Sequence, residues 1–579
     1  MNHRAMFTVA VLAVVLLGVG VSAGADASGY RAAGSPPDPK VEVRWNRYYD
    51  HAEATELIHQ MAEAYPELVS VESLGESHEG RELWLMTITD PDAGEPGTKP
   101  GFWIDGAIHG NELQATETVL YTAWYLLEMQ GHNAFITQLL KDRTFYLMPM
   151  MSPDARDHHM HHPNTTHTPR TGMVGFDDVE GNPMGFDDLD GDGHITQMRV
   201  RDPDGRYVPH PEYPNLMVRA RADERGEYRL LGWERRLAED ADQEDLRRRA
   251  YDPNRDWPWQ WQPSYVQQGA FRYPFSVPAN RAVAEFLLSR RNIAGAQSYH
   301  NTGGMILRGP GAPGDAYSRE DLRVFDTIGE RGEMILPGYD YLELRSDLYP
   351  GYGVELDYFY AMRGAIAYTN ELFTTFNLFR EETPGLFGSD EELHKFDRYL
   401  LMGEGITPWQ EVEHPDLGTI EVGGLKSNWL RQPPSFLLEE EAHRSMAFTL
   451  YHADQMPLVR VRDVQVEDLG GGLMQVTASF ANDRLQPTRL GIDVQREITP
   501  PDRAQLIGED VEVVTAMVAD EPYFREAREQ TYQMDDVRIE RIGGLDAVHV
   551  RWIVRGDVAG ATVRIQSHKG GSGEMVIGD

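Results

Sequence analysis

Hydrophobic residues along the first part of the chain alternate between helical and strand-like spacing. Apolar residues recur at helical spacing over 52–65, which predicts a helix that ends before Pro66. Further runs predict helices over 112–130 and 279–290 and strands over 68–74, 83–89, 101–105, 144–151, 294–299 and 365–373. This order predicts an α/β fold, in which functional sites form where loops leave the carboxyl ends of strands.

Two stretches depart from this pattern. Residues 152–253 are rich in Asp, Gly, Arg and His and have few periodic apolar runs, which predicts a long insertion. After residue 457, short β-branched segments separated by Gly, Asp and Pro predict an all-β sandwich. These segments cover 459–466, 473–480, 488–495, 511–517, 547–554 and 561–566. We therefore predict an α/β domain over 40–456, containing the insertion, and a β-sandwich domain over 457–579.

The N-terminus has the pattern of a secretory signal peptide. His3 and Arg4 precede an apolar run over 5–21, and Ala23-Gly24-Ala25 follows it. This arrangement predicts cleavage after Ala25 and a secreted or periplasmic protein. The alternative, a single membrane anchor, needs a longer apolar run and no small residues directly after it. Residues 26–39 are rich in Gly, Ala, Ser and Pro and predict a flexible leader.

Charge and composition narrow the classes of partner and site. The chain has 92 acidic and 54 basic residues, a formal net charge of −38. Because such a surface repels polyanions, we expect neither nucleic acid nor anionic membranes as partners. The sequence contains no cysteine, so any metal must be held by His, Asp or Glu.

Three residues at predicted strand ends are candidate metal ligands. His109 and Glu112 are spaced so that an imidazole and a carboxylate converge on one ion, and His300 follows another strand. Three protein ligands leave zinc an open position for water, as in catalytic sites. The alternative is a helix-capping His with a solvent-exposed Glu and an unrelated loop His.

Two further motifs carry polar groups with more than one interpretation. Glu371 lies in the apolar run 366–373, where a carboxylate is costly to bury unless it is paired or functional. It is either a structural partner or a catalytic group. Asn254 and Arg255 pair an amide with a guanidinium that can bind a carboxylate, or they lie in an ordinary surface loop.

The order of these motifs resembles the zinc carboxypeptidases of the carboxypeptidase A type. The chain has H-x-x-E at 109–112, N-R at 254–255, a strand-end His at 300 and E-L-F at 371–373. The segments 65–69 (YPELV) and 74–84 (LGESHEGRELW) are similar to the family's N-terminal strand-and-turn pattern. The resemblance spans roughly residues 45–400 and implies a mixed β-sheet sandwiched by helices.

The resemblance also implies roles for individual residues. His109, Glu112 and His300 would bind zinc, Glu371 would be the general base, and Asn254 and Arg255 would hold the substrate's C-terminal carboxylate. Tyr349, with Tyr352 as the second choice, would be the family's mobile tyrosine. Leu356 would lie near the base of the specificity pocket and favour apolar or aromatic C-terminal residues. The arginine that stabilises the oxyanion would be Arg199, with Arg201, Arg219, Arg235 and Arg236 as competitors.

The chain departs from the family pattern at two positions near these residues. The usual Asn-Pro-Asp-Gly is Ser152-Pro-Asp-Ala155, which is expected to alter a turn and not the chemistry. The family's basic residue beside the metal-binding Glu is Asn111, so one subsite charge is missing.

The insertion contains a candidate calcium loop. Asp188, Asp190 and Asp192 precede Gly193 in the spacing of the first positions of an EF-hand loop. Position 12 is Arg199 and not the bidentate Glu, which argues against an ordinary EF-hand. The alternative is an acidic, solvated turn. The nearby histidines could bind metal, but we expect them to lie in a flexible loop and give them no role: His158, His159, His161, His162 and His167.

These observations predict a secreted zinc metallocarboxypeptidase that removes C-terminal residues from peptides with a free carboxylate, with zinc and possible calcium as its metals. One alternative is a zinc amidohydrolase or deacylase that acts on small N-acyl amino acids. The other is a catalytically silent secreted binding protein.

Overall fold

The structure is a computed structural model that describes residues 33–162, 186–235, 251–382 and 388–578. The predicted signal peptide over 1–25 lies outside these ranges, as do residues 26–32 of the predicted leader, His167 and Arg236.

A mixed eight-stranded sheet forms the centre of the α/β region. Its strands are β1 (Val69–Glu76), β2 (Glu82–Ile88), β3 (Gly101–Gly106), β4 (Thr144–Met148), β9 (Ile293–Asn301), β10 (Met305–Arg308), β11 (Asp340–Glu343) and β12 (Ile366–Leu372). They lie in the order β1-β2-β4-β3-β9-β12-β10-β11. The four central strands β4, β3, β9 and β12 are mutually parallel, whereas β2 and β10 run antiparallel to their inner neighbours.

Helices cover both faces of this sheet. They are α1 (His51–Ala64), α2 (Gln114–Met129), α3 (Ala134–Asp142), α4 (Pro153–His161), α5 (Pro278–Ser289), α6 (Arg319–Ile335), α7 (Glu355–Arg363), α8 (Phe376–Phe379), α9 (Asp390–Phe396) and α10 (Ser435–Gln455). Alternate residues of β3 face opposite cores: Phe102 packs in the cluster of α1, α2 and α10, and Trp103 in that of α5 and α7. The predicted mixed sheet sandwiched by helices is therefore confirmed. Among the described residues, no helix has the length and apolar character needed to cross a membrane.

The predicted insertion is more regular than its composition indicated. It contains β5 (Gln197–Arg201), β6 (Tyr207–Pro209), β7 (Met217–Arg219) and β8 (Tyr228–Trp233). These strands join β13 (Ile406–His414) and β14 (Gly418–Leu425) in a second sheet of order β13-β14-β5-β8-β6-β7. Of these four strands, β5 pairs with β14 of the later hairpin, whereas β6, β7 and β8 find their partners within the insertion. We call this six-stranded sheet the insertion sheet.

The C-terminal region forms two antiparallel sheets around an apolar core. Its strands are β15 (Val459–Gly470), β16 (Leu473–Asn482), β17 (Asp502–Ile507), β18 (Glu512–Ala519), β19 (Arg528–Gln530), β20 (Asp536–Ile539), β21 (Asp546–Arg555), β22 (Thr562–Ser567) and β23 (Gly571–Val576). One sheet has the order β15-β16-β21-β18-β19 and the other β20-β17-β22-β23. The strand predicted over 488–495 is wrong, because this segment contains the short helix α11 (Gly491–Arg496).

Buried polar contacts join this C-terminal region to the α/β region. Lys569, which is 1% exposed, donates hydrogen bonds to the carbonyl oxygens of Arg363 and Gly364 at the end of α7, and pairs with Asp493. The Gln486 side chain donates to the carbonyl oxygen of Ala294 in β9. Because buried donors are costly to leave unpaired, these contacts fix how the two regions pack.

Candidate metal and catalytic centre

Three adjacent parallel strands bring the predicted site residues to one edge of the central sheet. Gly106 of β3 lies opposite Tyr299 of β9, and His300 of β9 lies opposite Glu371 of β12. The loop that carries His109 and the residues His300 and Glu371 are therefore neighbours, although up to 262 positions separate them in the chain. Parallel strands end at the same edge, which is where such folds place their sites.

Close packing fixes the shape of the His109 loop. A side chain at Gly110 would place its Cβ 2.3 Å from the backbone of Ala155 in α4, so only glycine fits there. The Ser152 hydroxyl donates a 2.7 Å hydrogen bond to the carbonyl oxygen of Ile108. The start of α4 at Ser152 thus supports the loop from outside, and the departure Ser152-Pro-Asp-Ala155 serves as part of this support.

His109, Glu112 and His300 form a buried cluster of candidate ligand atoms, which we call the metal-binding cluster. Their ligand atoms all lie within 4.8 Å of one another. The Nδ1 atom of His109 is 3.0 Å from Glu112 Oε1, and the Nδ1 atom of His300 is 2.9 Å from Glu112 Oε2. The two Nδ1 atoms are 3.2 Å apart. Two imidazole nitrogens and a carboxylate in this arrangement suit zinc.

Asp252 holds the other side of the His109 ring. Its Oδ1 atom is 2.9 Å from His109 Nε2. A carboxylate at this nitrogen fixes the tautomer that turns Nδ1 towards a metal ion. Burial lowers the pKa of His109, but Glu112 and Asp252 outweigh it and raise that pKa to about 10. The excess negative charge that surrounds the imidazole is what a bound dication would balance. Sequence reasoning did not single out Asp252, although it begins the D-P-N-R segment.

Glu371 lies beside the metal-binding cluster and is only partly buried. Burial raises its pKa, and the neighbouring Glu112 raises it further, to about 7. Its backbone is held in place, because its carbonyl oxygen accepts a hydrogen bond from Gly304 N at 2.9 Å. Two residues further on, Phe373 N donates to the hydroxyl oxygen of Tyr339. A carboxyl group with a pKa near neutrality can accept and return a proton.

Asn254, Arg255 and Tyr349 lie together next to the cluster. The Asn254 side-chain oxygen accepts a 2.9 Å hydrogen bond from the backbone N–H of Glu355. The Arg255 guanidinium lies 3.7 Å from Asp252 Oδ2 and 5.8 Å from the ring centre of Tyr349. Tyr349 is 46% exposed, so its ring can move without unpacking a core. The alternative Tyr352 is held by a backbone hydrogen bond to the side chain of Gln267.

Leu356, the predicted pocket residue, is buried in the apolar cluster beneath the sheet. The neighbouring Glu355 has polar contacts instead. Its carboxylate lies 3.1 Å from the Ser298 hydroxyl oxygen, which is also 2.9 Å from Asp105 Oδ2. Glu355 and Asp105 are both at most 1% exposed, and burial raises the pKa of each, that of Asp105 to about 6. This buried acid pair carries no signal in the sequence, because its members are 250 positions apart.

Arg199 is bound within the insertion sheet. It forms an ion pair with Glu421, its partner in β14, with 2.6 Å between Nε and Oε2. Its guanidinium lies between the rings of Tyr228 and Trp409, 4.1 Å from each centre. Its hydrogen bonds, ion pair and ring contacts among the described residues are thus to Glu421, Met217, Tyr228 and Trp409. The family resemblance predicts that the positive charge of Arg199 stabilises the oxyanion. In the structure this charge is paired with Glu421.

The competing arginines that the structure describes, Arg201, Arg219 and Arg235, lie in or next to the insertion sheet. Arg201 is largely exposed and approaches Glu421 at 3.9 Å. Arg219 lies over the ring of Tyr207, and the backbone of Arg235 accepts a hydrogen bond from His414. A different arginine approaches the metal-binding cluster: Arg431 Nη1 is 4.0 Å from Glu112 Oε1.

The acidic loop of the insertion gathers a second group of carboxylates, formed by Asp188, Asp190 and Glu234. Asp192 is not a member of it. Asp188 accepts hydrogen bonds from the backbone N–H groups of Gly191 and Gly193, and Asp192 from that of His194. These are the contacts of an Asx turn, which forms with or without an ion. Calcium at Asp188, Asp190 and Asp192 stays a prediction.

The histidine tract was expected to be a flexible loop, and this is wrong for its first part. His158, His159 and His161 belong to α4, which packs against the His109 loop. His159 is 4% exposed, and burial together with the charge of Arg156 lowers its pKa to about 3. A neutral buried imidazole of this kind fits a packing role.

Two parts of the chain match family models. Residues 54–176, which include His109 and Glu112, match the family described as zinc carboxypeptidase. Residues 458–577 match a domain of unknown function, DUF8731. The resemblance to zinc carboxypeptidases is thus confirmed over the first segment, and the other predicted site residues lie outside it.

Curated relatives match over the same part of the chain. Carboxypeptidase B of Astacus astacus is 37% identical over 111 residues, which are 19% of this chain and 34% of the relative. Human carboxypeptidase D is 35% identical over 130 residues, 22% of this chain and 9% of the relative. The chain therefore spans about a third or less of the length of these relatives.

Solved structures are similar over longer stretches at lower identity. Thrombin-activatable fibrinolysis inhibitor has 17% identity and a TM-score of 0.43, with 72% of this chain and 76% of that chain covered. Carboxypeptidase A of Helicoverpa armigera has 16% identity and a TM-score of 0.42, with 71% and 75% covered.

Proposed function

We propose that this chain, whose residues 54–176 match the zinc carboxypeptidase family, is a secreted zinc metallocarboxypeptidase. The observation that carries the proposal is the position of Asp252. One of its carboxylate oxygens holds His109 at 2.9 Å, and the other lies 3.7 Å from Arg255. A single side chain thus sets the separation between the metal-binding cluster and a guanidinium suited to a carboxylate, which is what exopeptidase action requires.

The metal-binding cluster would hold zinc through His109, Glu112 and His300. Zinc at this position would lower the pKa of a bound water and polarise the scissile carbonyl. Glu371 accepts the water proton as the water oxygen bonds to the carbonyl carbon and the π electrons move to the carbonyl oxygen. When the C–N bond breaks, Glu371 passes the proton to the departing amine. Its pKa of about 7 suits both transfers.

Substrate selection would rest on the C-terminal carboxylate. Arg255 presents its guanidinium to that group, and Asn254 is held beside it by the backbone of Glu355. Tyr349, over Arg255, would close on the bound peptide. The predicted preference for apolar or aromatic C-terminal residues, based on Leu356, is tested with a panel of Phe-, Lys- and Glu-ending dipeptides.

Export and domain organisation complete the proposal. The segment 1–25 would be removed as a signal peptide, and the α/β domain over 40–456 would carry the chemistry. The domain over 457–579 would be a sandwich with an apolar core between its own two sheets.

A matched pair of substrates tests the proposal. An N-blocked dipeptide with a free C-terminal carboxylate should be hydrolysed far faster than its C-terminal amide. Arg255→Gln should remove most of this difference, because an uncharged amide cannot pair with the carboxylate. The control is Arg281→Gln, which changes an exposed arginine of α5 and should leave the difference intact.

Three results would contradict the proposal. Equal hydrolysis of acid and amide would remove the exopeptidase assignment. Faster cleavage of an N-acetyl amino acid than of the dipeptide would favour the deacylase alternative. Zinc binding without turnover of any of these substrates would favour the silent binding protein.

A further inference from the structure

The segment that enters α10 docks on both loops of the metal-binding cluster. Gln432 donates a 2.7 Å hydrogen bond to the carbonyl oxygen of Asn111, and its own side-chain oxygen accepts from Gln114 N at 3.4 Å. Arg431 donates to the carbonyl oxygen of Asn301 at 3.1 Å, and Asn301 Nδ2 donates back to the Arg431 carbonyl at 3.3 Å. The segment therefore bridges the loop after β3 and the end of β9.

The Arg431 guanidinium lies between the cluster and solvent. Its Nη1 atom is 4.0 Å from Glu112 Oε1, and its side chain is 34% exposed whereas that of Glu112 is 3% exposed. Arg431 is thus a partly exposed cation next to a buried ligand of the cluster.

Arg199 and Arg255, the two arginines given a role by the family resemblance, have other contacts. Arg199 is paired with Glu421 and enclosed by two aromatic rings in the insertion sheet. Arg255 lies next to Asp252 and Tyr349, where we propose that it binds the C-terminal carboxylate of a substrate. The position next to Glu112 in the chain is the uncharged Asn111.

We infer that Arg431 is a catalytic residue that donates hydrogen bonds to the carbonyl oxygen of the scissile bond as negative charge develops on it. This inference rests on the proposed function. The electron pair of the C=O bond moves to that oxygen when water attacks, and it returns when the C–N bond breaks. A guanidinium held by Asn301 is oriented beforehand, so its stabilisation costs no reorganisation during the reaction.

The test compares Arg431→Ala, Arg431→Lys and the control Arg444→Ala in the full-length, zinc-loaded protein. Arg444 is a partly exposed arginine of α10 that pairs with Glu440, so it controls for loss of charge. Arg431→Ala should lower kcat by roughly 10²–10³-fold with little change in KM, since the interaction forms in the transition state. Arg431→Lys should restore part of the loss, and Arg444→Ala should match the wild type.

A binding measurement separates catalysis from structure. A phosphonate analogue of the dipeptide, which has a tetrahedral anionic centre, should bind Arg431→Ala much more weakly than wild type by calorimetry. The ordinary dipeptide, measured in the Glu371→Gln background, should bind equally with and without Arg431→Ala. Zinc content and melting temperature are measured for each variant.

Two outcomes overturn the inference. If Arg431→Ala has near-normal kcat and phosphonate affinity, the residue takes no part in the reaction. If it loses zinc in proportion to its activity, Arg431 is structural. A wild-type protein without carboxypeptidase turnover would instead contradict the proposed function, because the Arg431 comparison needs an active reference.

Discussion

In the described structure, two groups of three side chains each bring their candidate ligand atoms within 4.8 Å of one another. The two groups differ in burial and in the hydrogen bonds that their carboxylates accept. The metal-binding cluster is fully buried, and its ligands come from two separate strand ends. The group around Asp188 is partly exposed, and its carboxylates accept backbone N–H groups of their own loop. Glu234 likewise accepts from Leu189 N and Thr196 N.

This difference shows that proximity of acidic groups is weak evidence for a metal. Backbone donors already stabilise the carboxylates of the insertion loop, so these groups have less uncompensated charge for an ion to balance. In the metal-binding cluster, a histidine is surrounded by two carboxylates in a buried space, and the pKa of His109 is raised to about 10 as a result. Desolvated charge of this kind favours a bound cation more strongly.

The largest expected effect is on metal content and turnover together. His300→Ala removes one of three ligands from the buried cluster, so the purified protein should lose its zinc, about one ion per chain, and its activity. Asp188→Asn, the matched change in the other group, should keep both. Metal analysis and peptide hydrolysis measure this contrast, and full zinc occupancy in His300→Ala would refute the ligand assignment.

The next effect separates chemistry from metal binding. Glu371→Gln preserves shape and removes the proton acceptor, so kcat should fall by about 10²–10⁴-fold. Zinc content and peptide affinity should stay near those of the wild type, in contrast to His300→Ala. Near-normal turnover in Glu371→Gln would make this residue structural and would leave the general base unassigned.

The smallest expected effect is that of calcium. Because backbone N–H groups already serve Asp188, saturating calcium should raise the melting temperature by only a few degrees, about what 1 kcal/mol of added stability produces. Asp190→Ala should abolish even that shift, and zinc content should not change. If calcium instead raises the melting temperature strongly and Asp190→Ala removes that rise, the predicted calcium site is established. Both groups of side chains would then be metal sites.

Much of the α/β architecture could be predicted from local pattern. The helix predicted over 52–65 is α1 (His51–Ala64), and the strands predicted at 101–105 and 294–299 are β3 and β9. Strand-end positions for His109 and His300 followed from these predictions. Such elements are predictable because their hydrophobic spacing and capping residues, such as Asp50 at the start of α1, are local.

Predictions failed where the partners are distant in the chain. The segment 488–495 has β-branched residues, but it contains the helix α11, where the N–H groups of Gly491 and Ile492 bind Asp321 from the α/β region. The insertion has few periodic apolar runs, yet its strands form a sheet with β13 and β14. In both cases tertiary contacts override weak local preferences.

The types and spacing of the candidate ligands, and the strand ends on which they lie, could be predicted because they depend on local pattern and motif order. Which arginine faces the cluster could be seen only in the folded chain. Arg199 lies within the motif order, yet it is neutralised by Glu421, whereas Arg431 lies 60 residues beyond Glu371 and reaches Glu112. Electrostatic roles depend on which charges meet in space, and packing between distant segments sets those distances.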